Sequence, residues 1–259
     1  MNRISGLFEL AIYGHKGLCT WLNWPSYISL VLLRPPLYIA LFGGLAEFTQ
    51  GRQAAGTVMA GMVVYGGISL LVGGAIQSLG NEVVFGTAPT LLLARRSMAS
   101  FFTKGIALFP SVAVCYLLTV LSAIAMGWYL PLSTVWPLFA SLMAIALSVT
   151  CFSLWIGTFS ILVKNWLLPT AVVEGLIFGL SGIIIPRQAL PLPLRVASDW
   201  LPVTHGLEAL RQALAMPLTD GVGQQRLLME LGLAAMYGAL GLITLGVVKS
   251  VCNRSGAVG

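Results

Sequence analysis

Apolar residues in this chain fall into long blocks divided by short polar stretches. Crossing the hydrocarbon core of a bilayer takes a helix of roughly 20 predominantly apolar residues. Six blocks meet that length, at about 24–48, 56–79, 105–130, 134–163, 166–185 and 227–251. Ahead of them, Ile4, Leu7, Phe8, Ala11 and Ile12 follow the i, i+3, i+4, i+7, i+8 spacing of one helical face, with Arg3, Glu9 and Lys16 off that stripe. This predicts an amphipathic helix over 1–20, lying on the membrane surface. Residues 81–104 form a polar break. Within it, 89–97 predicts a short helix, with Pro89 near its first turn and Arg95 and Arg96 at the end where the helix dipole favours cations. After the fifth block come Pro186, Pro191, Pro193 and Pro202, at a density no helix tolerates. A helical rhythm then returns, with Leu207, Leu210 and Leu214 on one side and Glu208, Arg211 and Gln212 on another. Residues 186–215 are therefore expected to leave or dip into the membrane, turn, and lie along its surface before the last span.

Composition leaves room for little else. The chain has 259 residues, 58% hydrophobic and 8% charged, where a soluble domain carries about 25% charged residues. Lipid must be the solvent for much of the surface. The expectation is an all-α membrane protein: a single transmembrane domain over 1–259 with six helices, no internal repeat and no separate soluble domain.

The net charge is +6, but the Lys and Arg residues are spread between the apolar blocks, with no basic cluster interleaved with aromatics. This reads as anchoring and topology, with no nucleic-acid partner. Six spans place both termini on one side. With that side cytoplasmic, Arg3, Lys16, Arg95, Arg96, Lys104, Lys164, Lys249 and Arg254 fall inside, against Arg52, Arg187, Arg195, Arg211 and Arg226 outside. That is a modest bias in the positive-inside direction. Cys19, Cys115, Cys151 and Cys252 are far apart and form no C-x-x-C pair, so packed free thiols are expected, with neither a disulfide framework nor a metal site. Residues 1–16 lack a compact apolar core followed by small residues, so no cleavable signal is read there.

Arg34 and Glu174 are read as the intramembrane ionisable residues. Each lies roughly 12–15 Å from the cytoplasmic end of its span at 1.5 Å per residue, and an unpaired charge there costs at least about 2.5–3.5 kcal/mol. Similar depth and opposite sign lead to the expectation that they pair, within or across subunits. In the alternative, the first span starts later and Arg34 reaches the interface. Gly175 and Gly179 form a G-x-x-x-G that lets another helix approach, inside the subunit first and at a dimer seam second. The glycine pairs Gly66-Gly67 and Gly73-Gly74 likewise permit close approach. The run Gly179-Leu180-Ser181-Gly182 is similar to the nucleophile motif of rhomboid-type intramembrane proteases, which also needs a histidine base on another transmembrane helix. His15 and His205 both lie outside the blocks, so no catalytic residue is assigned and His205 is expected to be a polar residue at the membrane surface.

Two stretches together resemble the membrane subunit of ABC-2 type transporters. One is the loop E-x-x-x-G-T at Glu82, Gly86 and Thr87, followed by a leucine-rich helix with Leu91 and Leu92. The other is a Ser-Gly near the end of the fifth span, then prolines and leucines, then Glu-x-x-Arg. Here these are Ser181, Gly182, Pro186, Leu190, Pro191, Leu194, Pro202, Glu208 and Arg211. The pair Arg95-Arg96 departs from the family, which often has a small residue and a proline there. The resemblance implies a coupling helix that meets an ATPase through Glu82, Gly86, Thr87, Leu91, Leu92, Arg95, Arg96 and the N-terminal Phe8. It implies a translocation path or dimer seam near Arg34, Glu174, Gly175 and Gly179. It also implies an outer gate built on Ser181, Gly182, Pro186, Pro191, Pro202, Glu208 and Arg211. A second permease subunit, identical or related, and a separate ABC ATPase carrying ATP and Mg are the implied partners. The chain has no Gly-Lys pair with which to build a P-loop, so no cofactor is assigned to it.

The expected role is an exporter permease of the plasma membrane (the inner membrane of a Gram-negative cell), with both termini cytoplasmic. Spans of Leu, Ala, Val, Gly and Met suit a hydrophobic or amphipathic cargo: a drug, antibiotic, natural product or lipid-like molecule. A polysaccharide or glycolipid permease is the alternative, and would favour a path lined with aromatics, whereas Trp and Tyr here fall mostly where interfacial belts are expected. An ion-coupled carrier, whose broken helices recur in two repeats, a membrane enzyme and a nonenzymatic assembly or immunity factor are the rivals from other classes.

Overall fold

The computed structural model describes residues 24–87, 97–128, 130–131, 134–163, 167–215 and 221–254. The surface helix expected over 1–20 and most of the short helix expected over 89–97, with Phe8, Leu91, Leu92, Arg95 and Arg96, lie outside the described residues.

Residues 24–50 form one continuous rod, α1. It is α-helical at Trp24–Tyr27, Arg34–Tyr38 and Gly44–Gln50, and widens into π-helical turns at Ile28–Leu33 and Ile39–Gly43. The cause is Pro35-Pro36: each proline lacks an N–H, and its ring crowds the carbonyl four residues back. A π turn makes room for the rings without ending the helix. The Val31 carbonyl, which Pro35 cannot serve, accepts the Cys115 thiol at 3.7 Å. The prolines therefore bulge this span rather than interrupt it.

Helix α2, Arg52–Val84, has 33 residues and is about 50 Å long. It is the axis of the fold: 89% of its most apolar window is buried, against 22% for α1. Its glycines explain this. A Cβ on Gly67 would lie 2.4 Å from the Tyr116 ring, and one on Gly61 2.1 Å from the Ile183 carbonyl oxygen. Without side chains at these positions, neighbouring segments reach the α2 backbone, as small residues allow in membrane helices.

The expected third span is two helices, α3 (Ser97–Ile106) and α4 (Phe109–Ala125), joined by a turn at Ala107 and Leu108. Pro110 has no N–H for the Ile106 carbonyl, so a single helix cannot run through. Helix α5 covers Val135–Val163 and α6 Leu167–Leu180. The chain then bends through 181–185, makes a 3-10 turn at Arg187–Ala189, and forms α7 (Leu192–Ser198), α8 (Thr204–Ala215) and α9 (Gly221–Arg254). α9 packs along α5, α5 along α2, and α8 is wedged against α9, α5 and α2.

Among the described residues, five helices are long and apolar enough to cross a membrane: Ile28–Thr49, Ala55–Val84, Ser100–Ala125, Val135–Ile161 and Val222–Val251. The helix in the expected fifth block, α6, has 14 residues and is about 21 Å long, short of a hydrocarbon core of about 30 Å. The segment after it also differs from expectation. α7 is exposed along 191–197, as an interfacial helix would be, but 202–207 is buried, so α8 enters the fold instead of lying on its surface.

Candidate functional site

Polar side chains gather at the two ends of α2. Glu82 stands at one end and Thr57 at the other, roughly 38 Å apart along the helix.

At the Glu82 end, the sequence Glu82-Val-Val-Phe-Gly86-Thr87 ends the helix. The Thr87 N–H donates to the Glu82 carbonyl at 2.8 Å and the Gly86 N–H to the Val83 carbonyl at 3.1 Å. Gly86 has φ +69°. These paired bonds around a left-handed glycine are a Schellman cap, which gives the E-x-x-x-G-T spacing a physical meaning. The Glu82 carboxylate then joins two segments: it accepts from the Thr87 hydroxyl and pairs with Lys104 of α3. Lys104 also donates to the Ser78 carbonyl at 3.2 Å. Val84 and Phe85 are exposed beside this cap.

At the Thr57 end, most of the residues expected to build an outer gate come together. Arg211 of α8 donates from Nη2 to the Thr57 carbonyl at 3.1 Å and to the Ile183 carbonyl at 3.2 Å. Ser181 donates to the Pro202 carbonyl at 3.4 Å. Gly182 turns with φ +83°. Pro191 precedes α7 and is exposed. Glu208 accepts from Arg187 at 3.3 Å and pairs with Arg226 at 3.0 Å, while Arg187 also pairs with Asp199. A cavity of about 300 Å³ lies among them, lined by Ser181, Gly182, Pro186, Glu208 and Arg211 together with Arg187, Arg195 and Arg226. Burial pushes the Arg211 guanidinium down to about 10 while neighbouring Glu208 opposes the shift, so it stays protonated at neutral pH.

His205 is buried, not at the surface. Its Nδ1 faces Arg226 Nη1 at 3.3 Å and its Nε2 faces the Asp199 carbonyl at 3.1 Å. Arginine can only donate, so Nδ1 accepts and Nε2 carries the proton.

Close to this assembly is a carboxylate that the sequence reading passed over. Glu230 of α9 is fully buried. It accepts from the Val203 N–H at 2.7 Å, the Gly206 N–H at 3.0 Å and the Ser148 hydroxyl. It sits at the N-terminus of α8, where backbone N–H groups and the helix dipole favour an anion. Val203 has φ +88°, a conformation costly for a β-branched residue. Its N–H bond to Glu230 and the Leu207 N–H to Val203 carbonyl bond at 2.8 Å hold it there. Arg34 and Glu174 are thus not alone as ionisable residues within the apolar helices. Glu230 was visible as a single acid in the run Leu227-Leu-Met-Glu230-Leu-Gly-Leu. Its partners, Ser148, Val203 and Gly206, carry no such signal.

Arg34 and Glu174 line one cavity of about 130 Å³ with Ser69, Gly73 and Gln77. Arg34 donates from Nε to the Tyr38 hydroxyl at 2.7 Å, and among the described ion pairs none joins it to Glu174. Tyr38, Tyr65, Phe42 and Phe178 form an aromatic cluster across α1, α2 and α6, with Tyr65 and Phe178 4.6 Å apart. Aromatics therefore also lie inside the helical bundle. Among the described residues nothing packs on Gly175 or Gly179: a Cβ on either would meet nothing within 4 Å.

A multi-pass helical membrane protein with polar assemblies at both ends of its central helix is the class these features define. The family model described as ABC-2 type transporter matches residues 12–215, well over half of the chain, and the chain belongs to that family. Comparison with curated proteins and with solved structures gave no significant match.

Proposed function

We propose that this chain is the permease subunit of an ABC exporter, moving a hydrophobic or amphipathic small molecule out of the cytoplasm or inner leaflet. A separate ATPase subunit binds ATP and Mg and supplies the power. The permease works as a dimer, homomeric or with a related subunit, in the plasma membrane (the inner membrane in a Gram-negative cell) with both termini cytoplasmic. On this reading α6 and the bent segment after it form a sixth crossing. The exposed Gly175–Gly179 face and Arg34–Glu174 cavity belong to the seam or path.

The observation that carries the reading is the placement of two polar assemblies at opposite ends of α2. A rigid helix with a capped loop at one end and the gate at the other transmits a push between them, as rigid-body rocking requires. The ATPase would engage the Glu82–Gly86–Thr87 cap, and Leu91, Leu92, Arg95, Arg96 and Phe8 are the further contacts that the family resemblance implies. Exposed Val84 and Phe85 offer that loop an apolar contact. The test is co-purification with an ATPase followed by hydrolysis assays. ATP turnover that rises with cargo and falls in Glu82→Ala supports the reading; failure of any ATPase to associate opposes it. The polysaccharide or glycolipid reading draws on the aromatic cluster of Tyr38, Phe42, Tyr65 and Phe178 within the bundle.

A further inference from the structure

The 300 Å³ cavity at the Thr57 end of α2 holds more cation than its own carboxylates match. Four arginines line it, from four separate pieces of chain: Arg187 in the 3-10 turn, Arg195 on α7, Arg211 on α8 and Arg226 on α9. Two carboxylates answer them. Glu208 pairs with Arg187 and Arg226, and Asp199 pairs with Arg187. Among the described ion pairs none includes Arg195 or Arg211, although Glu208 lies near enough to favour the Arg211 charge, and four guanidinium groups against two carboxylates leave a surplus of positive charge.

Donors are in surplus too. Arg211 spends Nη2 on two backbone carbonyls, while its Nε is buried with no acceptor, as is the Nε of Arg187. A buried donor left unpaired costs about 1–3 kcal/mol, and burial alone disfavours the charge on Arg211. The surplus charge is answered by one kind of ligand in the cavity, a compact oxyanion with several acceptor lone pairs. The planar guanidinium fork matches phosphate in just this way. The surroundings indicate what carries the oxyanion. Leu194 and Val196 flank Arg195, and both are exposed, as are Leu192 and Trp200 on the same short segment. An apolar ledge beside a basic cavity suits a molecule with an apolar body and an anionic head.

We infer that this cavity binds the phosphate-type head of an amphipathic molecule, with Arg195 and Arg211 as its main charge partners. That the head belongs to a bilayer lipid or to cargo waiting at an exit gate rests on the permease reading; the binding chemistry does not.

The experiment uses the full chain in phosphatidylcholine nanodiscs, titrated by calorimetry with inorganic phosphate and separately with short-chain phosphatidic acid and short-chain phosphatidylcholine. Saturable binding of phosphatidic acid, at least about tenfold weaker in Arg195→Gln and absent for phosphatidylcholine, is the expected result. Inorganic phosphate competing at similar affinity identifies a free anion as sufficient ligand, and failure to compete identifies the amphipathic headgroup; either supports the oxyanion site. Arg211→Gln is expected to abolish binding, but it also removes bonds to Thr57 and Ile183. The exposed Arg195→Gln, which breaks no described contact, is therefore the deciding variant. No anion binding above the phosphatidylcholine baseline, or equal affinity in Arg195→Gln, overturns the inference. Intact anion binding in a protein that no ATPase drives would overturn the permease reading and leave the site standing; ATP-driven export with no anion binding would do the reverse.

Discussion

Glu230→Ala removes the acceptor that holds the first turn of α8 in the fold. Two backbone donors, Val203 N–H and Gly206 N–H, lose their partner. Ser148 does not, because its hydroxyl also reaches the Ile145 carbonyl at 3.1 Å. Two stranded donors at about 1–3 kcal/mol each cost about 2–6 kcal/mol. Relaxation of the left-handed Val203 backbone returns roughly 1–2 kcal/mol. The net loss is about 3 kcal/mol, which corresponds to roughly a hundredfold in the opening equilibrium at 1.4 kcal/mol per decade. Amide hydrogen exchange on the protein in nanodiscs reads this directly. Exchange at Gly206 and through the first turn of α8 should accelerate about a hundredfold, while the core of α2, which does not touch Glu230, should keep its protection. Glu230→Gln should fall between, because its amide oxygen replaces one carboxylate oxygen while its NH2 faces a donor. If α8 exchanges within threefold of the wild-type rate in Glu230→Ala, the clamp assignment fails.

Three further outcomes are expected. Gly86→Ala forces a Cβ into a left-handed backbone at the Schellman cap and should cost about 1–2 kcal/mol locally, lowering ATPase coupling more than assembly; unchanged coupling would show that the cap plays no part in it. Gly67→Ala places a methyl against the Tyr116 ring and should destabilise the bundle by about 1–3 kcal/mol in thermal unfolding, whereas Gly175→Ala, with open space around it, should leave the chain's stability unchanged. A fall in dimer yield for Gly175→Ala with intact thermal stability would place that face at a subunit seam. Lys104→Met removes the partner that ties Glu82 to α3, and should raise the mobility of the 82–87 loop in exchange measurements without altering α8.

Much of the architecture was readable because lipid imposes one rule: backbone polar groups must be satisfied inside a helix. The long apolar blocks therefore had to be helices, and α2, α5 and α9 lie where the blocks fall. The misjudgements are local. Pro35 and Pro36 fall inside the first apolar block, where proline rules predict a break, yet π turns absorb them. Pro110 was passed over, yet it divides the third block into α3 and α4. The family pattern at Ser181–Arg211 pointed to residues that do meet around one cavity, since Arg211 binds Thr57 and Ile183 and Ser181 binds Pro202. It did not reveal that α8 is buried, because Leu207 and Leu210 fit an interfacial helix as well as an inserted one. What decides between them is Glu230, and a contact across 24 residues to Gly206 leaves no mark in local periodicity. The left-handed Val203 is similarly silent, since a β-branched residue is the last type that sequence rules would place there. The spacing of Gly175 and Gly179 permits close approach of a helix, but both face open space among the described residues, and spacing cannot name the partner.

The most direct test of the permease account is transport itself. The chain and its ATPase, reconstituted in proteoliposomes, should move an amphipathic cargo only when ATP and Mg reach the side bearing the Glu82–Lys104 cap, and Gly86→Ala should reduce that movement. Cargo movement that persists without the ATPase, driven by an ion gradient alone, would contradict the account.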